Sequence, residues 1–339
     1  MLAGFSFGSP REPREEEITM STAENTLDEA AARVLAFLQQ AGAPKVHELP
    51  VAQARAVFEA MAPQLDMAEE PMAAVTDHSI PTPGGARAIR IYRPHAGMED
   101  APVVLFFHGG GWVIGSIATH DRVCRRLAAA ADAIVLSLDY RLAPEHPFPA
   151  AVEDVLAALA WTGEQIRTLG GNPDAIFVAG DSAGGNLAAV AALAARDEPR
   201  LPTLAGQLLF YPAVDLAGDY ESRSRFAEGY FLESQTMRWF VDKYIPDPAA
   251  RADWRASPLR AQDHRGLAPA FVLTAGFDPL WSEGQAYVKT LAAAGVPVTP
   301  SDWPGLIHGF LNMGGLVPAA GTALDAAGTW VRQQQPAKT

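Results

Sequence analysis

Cysteine is nearly absent: Cys124 is the only one in 339 residues. A single thiol excludes an internal disulfide framework and any multi-cysteine zinc or iron–sulfur site. Positive charge is also scarce. Lys and Arg number 26 against 39 Asp and Glu, a net charge of −13 at pH 7. That sign is wrong for a general nucleic-acid binder and leaves no basic patch for anionic lipid. No run approaches the roughly 20 apolar residues of a membrane span. The first 20 residues lack the basic start and the apolar run of about 7–15 residues that mark a signal peptide. They hold Pro10, Pro13 and Glu15, Glu16, Glu17 instead, and are expected to form a flexible segment, with Met20 offering a second start. The expectation for the whole chain is a soluble, cytoplasmic protein.

What is present is a globular balance, with 49% hydrophobic and 19% charged residues. A chain this long buries about three quarters of its unfolded surface and needs no metal or cross-link to hold a core. Ser21 and Glu24 fit a capping box. Leu27, Ala31, Val34, Leu35 and Leu38 then recur at helical spacing up to Gly42. A second helix is predicted over Val51–Met61, limited by Pro63. Both helices need a later part of the chain to cover their apolar faces.

From Val75 the pattern changes. Ala86–Tyr92 alternates as a strand does. Val103–Phe107, Ile134–Leu138, Ile176–Ala179, Gln207–Phe210 and Phe271–Ala275 are apolar runs suited to strands buried on both faces. Helical stretches lie between and after them: Asp121–Ala131, Ala150–Leu169, Ala183–Ala195, Glu283–Ala294 and Ala319–Val331. This alternation predicts a mostly parallel sheet flanked by helices. Cys124 falls in one of these helices as a packing residue. The interval Asp215–Leu267 breaks the rhythm and is rich in aromatics, as substrate lids are. The organisation expected is a segment 1–20, helices of a cap over 21–70, and a catalytic domain over 71–339 with a cap insertion at about 215–267. The last strand, Val296–Asp302, reads as a sheet edge; edges invite pairing, so a homodimer is an expectation.

Gly180-Asp181-Ser182-Ala183-Gly184 fits G-x-S-x-G between an apolar strand and an alanine-rich helix, the setting of a nucleophile elbow. Ser182 would expose its hydroxyl at a helix N-terminus, where negative charge is favoured. A serine nucleophile needs a base, and in this architecture the order is Ser, acid, His. Six of eight histidines precede Ser182. His264 precedes every good strand-end acid, which leaves His308. Asp278 follows the strand Phe271–Ala275 and is the acid that would hold the His308 tautomer. Glu283 reads as a helix-start charge, and Asp302 lies on the final strand in the wrong slot.

His108-Gly109-Gly110-Gly111-Trp112 follows Val103–Phe107. Glycines let backbone N–H groups approach a developing oxyanion, and Ala183 N–H supplies another donor. His108, ahead of Ser182 in a glycine loop, reads as a hydrogen-bonding residue rather than a base. No G-K-[ST] follows, so a phosphate cradle is disfavoured.

These segments, with Tyr140-Arg141-Leu142-Ala143-Pro144-Glu145, Asp278-Pro279-Leu280 and His308-Gly309-Phe310, resemble the bacterial branch of the hormone-sensitive-lipase-like esterases. The resemblance runs from Val75 to the end and implies an α/β-hydrolase fold with a helical cap. It implies Ser182, Asp278 and His308 as triad and Gly110, Gly111 and Ala183 as oxyanion donors. His108, Gly109, Glu145 and Asp181 support them, with Glu145 as a buried carboxylate orienting the catalytic loops. Trp281 and Ser282 depart from the family's acidic pair. The activity implied is hydrolysis of short- to medium-chain esters through an acyl enzyme, without cofactor or metal. The partner expected is a small-molecule ester, with no nucleic acid and no membrane. Trp112, Tyr230, Phe231 and Trp239 are candidate pocket walls; packing of cap on core is the alternative for them. The same triad could serve an amidase, a formamidase or a deacetylase of a small natural product, which matched ester and anilide assays separate. An inactive small-ligand receptor and a protein-interaction module are disfavoured by the complete set of reacting groups.

Overall fold

The computed structural model describes residues 26–42 and 44–335. The strands are β1 (Ala74–Thr82), β2 (Gly85–Arg93), β3 (Ala101–Phe107), β4 (Ile134–Leu138), β5 (Gly171–Asp181), β6 (Gly206–Phe210), β7 (Ala270–Phe277) and β8 (Val298–Ile307). They form one sheet in the order β1-β2-β4-β3-β5-β6-β7-β8. β2 runs antiparallel to β1 and β4. The neighbours from β4 to β8 are parallel.

The apolar runs explain this sheet. All residues of β3, β4 and β6 are buried. Successive side chains point to opposite faces, so one run feeds two cores. Val103, Leu105 and Phe107 pack with Val155 and Leu159 of α4 (Ala150–Gln165) and Leu187 of α5 (Ala183–Asp197). Val104 and Phe106 pack on the other face with Leu127 of α3 (Asp121–Ala131) and Leu324 of α9 (Ala319–Gln333). Helices on both faces are what a parallel sheet requires. The edge strand β1 has one buried residue, Ile80, and thus little apolar signal.

Two N-terminal helices precede the sheet, α1 (Glu29–Gln40) and α2 (Val51–Leu65). The expected capping box of Ser21 and Glu24 lies outside the described residues. Asp28 caps α1, its Oδ1 accepting from the Ala30 (2.8 Å) and Ala31 (3.3 Å) amides. α2 passes through Pro63, which was expected to end it. Burial of Ala62 and Leu65 holds that last turn despite the missing donor. Ala30, Ala31 and Val34 of α1 pack with Leu306 at the end of β8 and with Phe310 and Leu311 just beyond it. The 215–267 interval is touched instead by the loop after α1. Lys45 Nζ meets Glu233 Oε2 at 2.8 Å, and His47 Nδ1 lies 2.8 Å from Thr236 Oγ1. That interval carries α6 (Glu221–Arg225) and α7 (Ser234–Tyr244), and α8 (Trp281–Ala293) follows β7. Among the described residues no helix is long and apolar enough to cross a membrane.

Candidate active site

The carboxyl ends of β3, β5, β7 and β8 bring the glycine loop, Ser182, Asp278 and His308 together. β5 ends at Asp181, and Ser182 turns into α5 with φ +56° and ψ −115°. Such a conformation is costly for serine and is over-determined here. Ser182 N–H donates to Phe210 O at 2.9 Å. Gly184 must lack a side chain, because a Cβ would overlap the Phe107 carbonyl oxygen. The result points the hydroxyl away from the sheet.

His308 Nε2 lies 2.9 Å from Ser182 Oγ. Its Nδ1–H donates to Asp278 Oδ2 at 2.7 Å. The other oxygen of Asp278 accepts from Leu280 N–H at 2.8 Å, and the residue is fully buried. The Tyr211 ring packs against His308, with centroids 4.8 Å apart. The rival groups lie elsewhere. Asp302 accepts from Thr274 Oγ1 and Trp281 Nε1. His264 bonds Pro258 O.

Glu283 is not a simple helix-start charge. It is wholly buried, pairs with Arg223, and accepts from the Val214 (2.9 Å) and Asp215 (3.3 Å) amides. Burial drives its pKa up to about 7, against the opposing pull of Arg223. The residues that depart from the family pattern make contacts of their own. Ser282 N–H donates to Ser222 Oγ, which donates to Pro279 O at 2.6 Å, so α6 is tied to the Asp278 loop.

The glycine loop is clamped from below. Gly109 N–H donates to Asp181 Oδ1 at 2.8 Å. Tyr140 Oη–H donates to His108 O at 2.7 Å, and the two rings stack 4.3 Å apart. Burial lowers the His108 pKa to about 3, so this imidazole is neutral. Among the described residues, the N–H groups of Gly110, Gly111 and Ala183 meet no protein acceptor. Glu145 corrects the expectation of a buried carboxylate: its side chain is 53% exposed. It forms a two-pronged pair with Arg55 (2.7 and 2.8 Å), and Arg55 also donates to Val113 O and Ala143 O. Its hold on the glycine loop is therefore relayed through α2.

A cavity of about 1260 Å³ opens over Ser182. Leu35 and Leu38 of α1, Phe58 and Met61 of α2, and Met237 and Phe240 of α7 form much of its wall. Phe231 and Trp112 line it, Trp112 also stacking on Tyr244 at 4.5 Å. Tyr230 and Trp239 do not. Tyr230 is turned onto Phe226 and Phe277. Trp239 packs on Phe240 and beneath Lys243 at the surface. Trp239 and Phe240 lie about 100° apart around α7, and Phe240 is the one of the two that lines the cavity. Sequence reasoning also missed His120, Arg55 and Arg223, for which no motif or spacing gave a sign.

Known proteins place the chain. Residues 104–312 match the family of α/β hydrolase fold. The chain is 46% identical over 268 residues to a carboxylic ester hydrolase, LipN, of Mycobacterium tuberculosis, covering 77% of this chain and 69% of that one. It is 39% identical over 288 residues to ethyl acetate hydrolase of Pseudomonas putida, covering 82% and 89%. In structure it is similar to a hyperthermophilic esterase from Pyrobaculum calidifontis, with TM-score 0.87 and 40% identity over 91% of this chain and 98% of that one. The sheet order, the motifs and these likenesses agree, and the chain belongs to the α/β hydrolases as a carboxylesterase of the hormone-sensitive-lipase-like family.

Proposed function

We propose that this esterase works through an acyl enzyme on Ser182. The observation that carries the reading is the continuous chain from Ser182 Oγ to His308 Nε2 (2.9 Å) and from His308 Nδ1 to Asp278 (2.7 Å). His308 Nε2 takes the hydroxyl proton as Oγ attacks the ester carbonyl. Asp278 fixes the tautomer and offsets the charge on the imidazolium. The carbonyl oxygen becomes an oxyanion held by the N–H groups of Gly110, Gly111 and Ala183. The C–O bond then breaks, the alkoxide leaves with the proton from Nε2, and water repeats the cycle on the acyl group. Ser182→Ala tests this: kcat should fall by about 10⁶ with the fold intact. A fall of less than tenfold would assign the chemistry elsewhere.

The preferred substrates are proposed to be short- to medium-chain esters. Support comes from the apolar cavity wall and from the ethyl acetate hydrolase among the relatives. A panel of p-nitrophenyl esters of rising acyl length reads the optimum; a preference for emulsified long-chain triglyceride would overturn it. We also propose that residues 21–70 and 215–267 act together as the cap. Both supply cavity wall, and Lys45–Glu233 joins them. A chain beginning at Ala43 should lose turnover or acyl-chain discrimination, whereas one beginning at Met20 should keep both. Among the described residues β8 ends the sheet, with its Gly305 O taken by the Asp28 N–H; its edge position supports pairing with a second copy, which sedimentation tests. The buried free thiol of Cys124 fits a reducing cytoplasm, and cell fractionation tests that location.

A further inference from the structure

His120 is a fully buried histidine that the reaction above does not use. It sits just before α3 and faces three segments that must stay in register. Its Nε2 lies 3.2 Å from Asp181 Oδ1, at the foot of the nucleophile turn. Asp181 Oδ1 also accepts the Gly109 amide of the glycine loop at 2.8 Å. The Asn312 side chain, four residues beyond His308, lies 3.2 Å from the same Nε2. His120 thus joins the nucleophile turn, the oxyanion loop and the loop that carries the base.

The hydrogen-bond network supports a protonated ring. The Thr119 hydroxyl donates to Ser116 O at 3.0 Å, so its oxygen accepts from His120 Nδ1–H at 2.9 Å. Nε2 faces the Asp181 carboxylate, which only accepts when ionised; the Gly109 N–H also passes 3.3 Å from Nε2 but lies closer, at 2.8 Å, to Asp181 Oδ1. With Asp181 Oδ1 accepting the Gly109 proton, Nε2 is assigned a proton of its own toward the carboxylate, and the ring is read as doubly protonated. The Asn312 amide agrees once its ends are exchanged, an assignment made from the network rather than observed. Its Oδ1, otherwise buried without a partner, then accepts from Nε2–H. The charged surroundings fit as well. Burial works against a charge on His120, but the Asp181 carboxylate outweighs it and raises the imidazole's pKa. Just past α2, half-buried Asp66 adds to this attraction, and its own pKa is raised by desolvation to about 6. The neighbouring His108 ring, with centroids 5.6 Å apart, is neutral.

We propose that His120 is a positioning residue for ester hydrolysis. As an imidazolium it keeps Asp181 ionised, and the pair holds the Gly109 amide so that the next two N–H groups face the oxyanion. Contact leaves no slack: a Cβ on Gly109 would overlap the Asp181 carboxylate. The proposal rests on the reading of Gly110 and Gly111 as oxyanion donors. Interactions made only in the transition state act on kcat and leave KM alone.

The test compares wild type, His120→Leu and His120→Gln. Leu removes the charge and both N–H groups, while Gln keeps one donor toward Asp181. The expected result is a 10- to 100-fold loss of kcat in His120→Leu, KM within twofold of wild type, and partial recovery in His120→Gln. Phosphonylation of Ser182 by a p-nitrophenyl phosphonate should slow in parallel, since it builds charge on the same oxygen. Wild-type rates in both variants would overturn the proposal while leaving the serine reading intact, as would a loss confined to KM. No labelling of Ser182 in wild type would overturn the serine reading itself. Should His120→Leu fail to fold, ¹⁵N imidazole spectra of the wild-type enzyme at pH 7.5 decide the matter. Two protonated nitrogens on His120 support the pair, and one overturns it.

Discussion

Gly111 offers a test of the oxyanion loop that requires two side chains to be in contact. It has φ +59°, and a Cβ there would lie closer than 3.0 Å to three atoms of the Phe240 ring. Phe240 is only 8% exposed, so its ring has little room to retreat. Gly111→Ala therefore carries two penalties. The left-handed backbone costs about 1–2 kcal/mol with alanine. The overlap then moves either the ring or the loop, and the loop carries the proposed donors. Losing one such donor is worth roughly 2.7–4 kcal/mol, or about 10²–10³ in kcat. The assay is kcat on p-nitrophenyl butyrate at saturation. Gly111→Ala should lose at least 10²-fold. Adding Phe240→Ala removes the obstructing ring and should restore kcat to within about tenfold of Phe240→Ala alone. The remaining deficit would match the backbone term, since each 1.4 kcal/mol is a factor of about ten. If Gly111→Ala kept more than a third of wild-type kcat, or if Phe240→Ala failed to raise it, the proposed packing of α7 on this loop would be wrong.

The Arg223–Glu283 pair yields two further predictions. Arg223→Ala strands a buried carboxylate, which costs about 3–5 kcal/mol. With an unfolding entropy of about 2.1 cal/mol/K per residue, Tm should fall by roughly 4–7 °C in calorimetry; an unchanged Tm would refute the pairing. KM should rise too, because Arg223 also holds the Gly218 and Asp215 carbonyls where the chain enters the 215–267 interval. The Glu283 carboxyl has its folded pKa raised from 4.5 to about 7. The folded state therefore binds this proton more tightly, and the group's contribution to stability is lost as pH rises through about 7. The Tm of Glu283→Gln relative to wild type should consequently climb between pH 5 and pH 8, and a flat or falling difference would contradict the burial argument.

The strands were legible where both faces are buried. Ile134–Leu138 and Asp121–Ala131 were read to the residue, because an unbroken apolar run or a strongly one-sided helix leaves little choice of boundary. β1 was missed because a strand with one buried residue carries no pattern. Ser182, Asp278 and His308 were singled out because chain order and strand ends restrict the choice, and the structure brings the three within hydrogen-bond reach. The cavity wall was legible only in part. Of the aromatic candidates, Trp112 and Phe231 line the cavity and Tyr230 and Trp239 do not, while Phe240, one residue past Trp239, faces inward without having been singled out. A helix phase within a 53-residue insertion depends on tertiary contacts that no local spacing records. Glu145 was expected inside because carboxylates near catalytic loops often are. It lies at the rim because Arg55 of α2, far away in sequence, reaches out to meet it. His120 gave no signal for the same reason: its partners come from β5 and from the loop after β8.

The most direct measurement is interception of the acyl enzyme. Wild-type protein mixed with p-nitrophenyl butyrate should release a burst of nitrophenol, and acid quenching within the burst should preserve the intermediate for digestion and mass spectrometry. The account predicts one butyryl group on Ser182, absent from Ser182→Ala. A butyryl group on another residue, or steady turnover with no covalent species and full activity in Ser182→Ala, would contradict it.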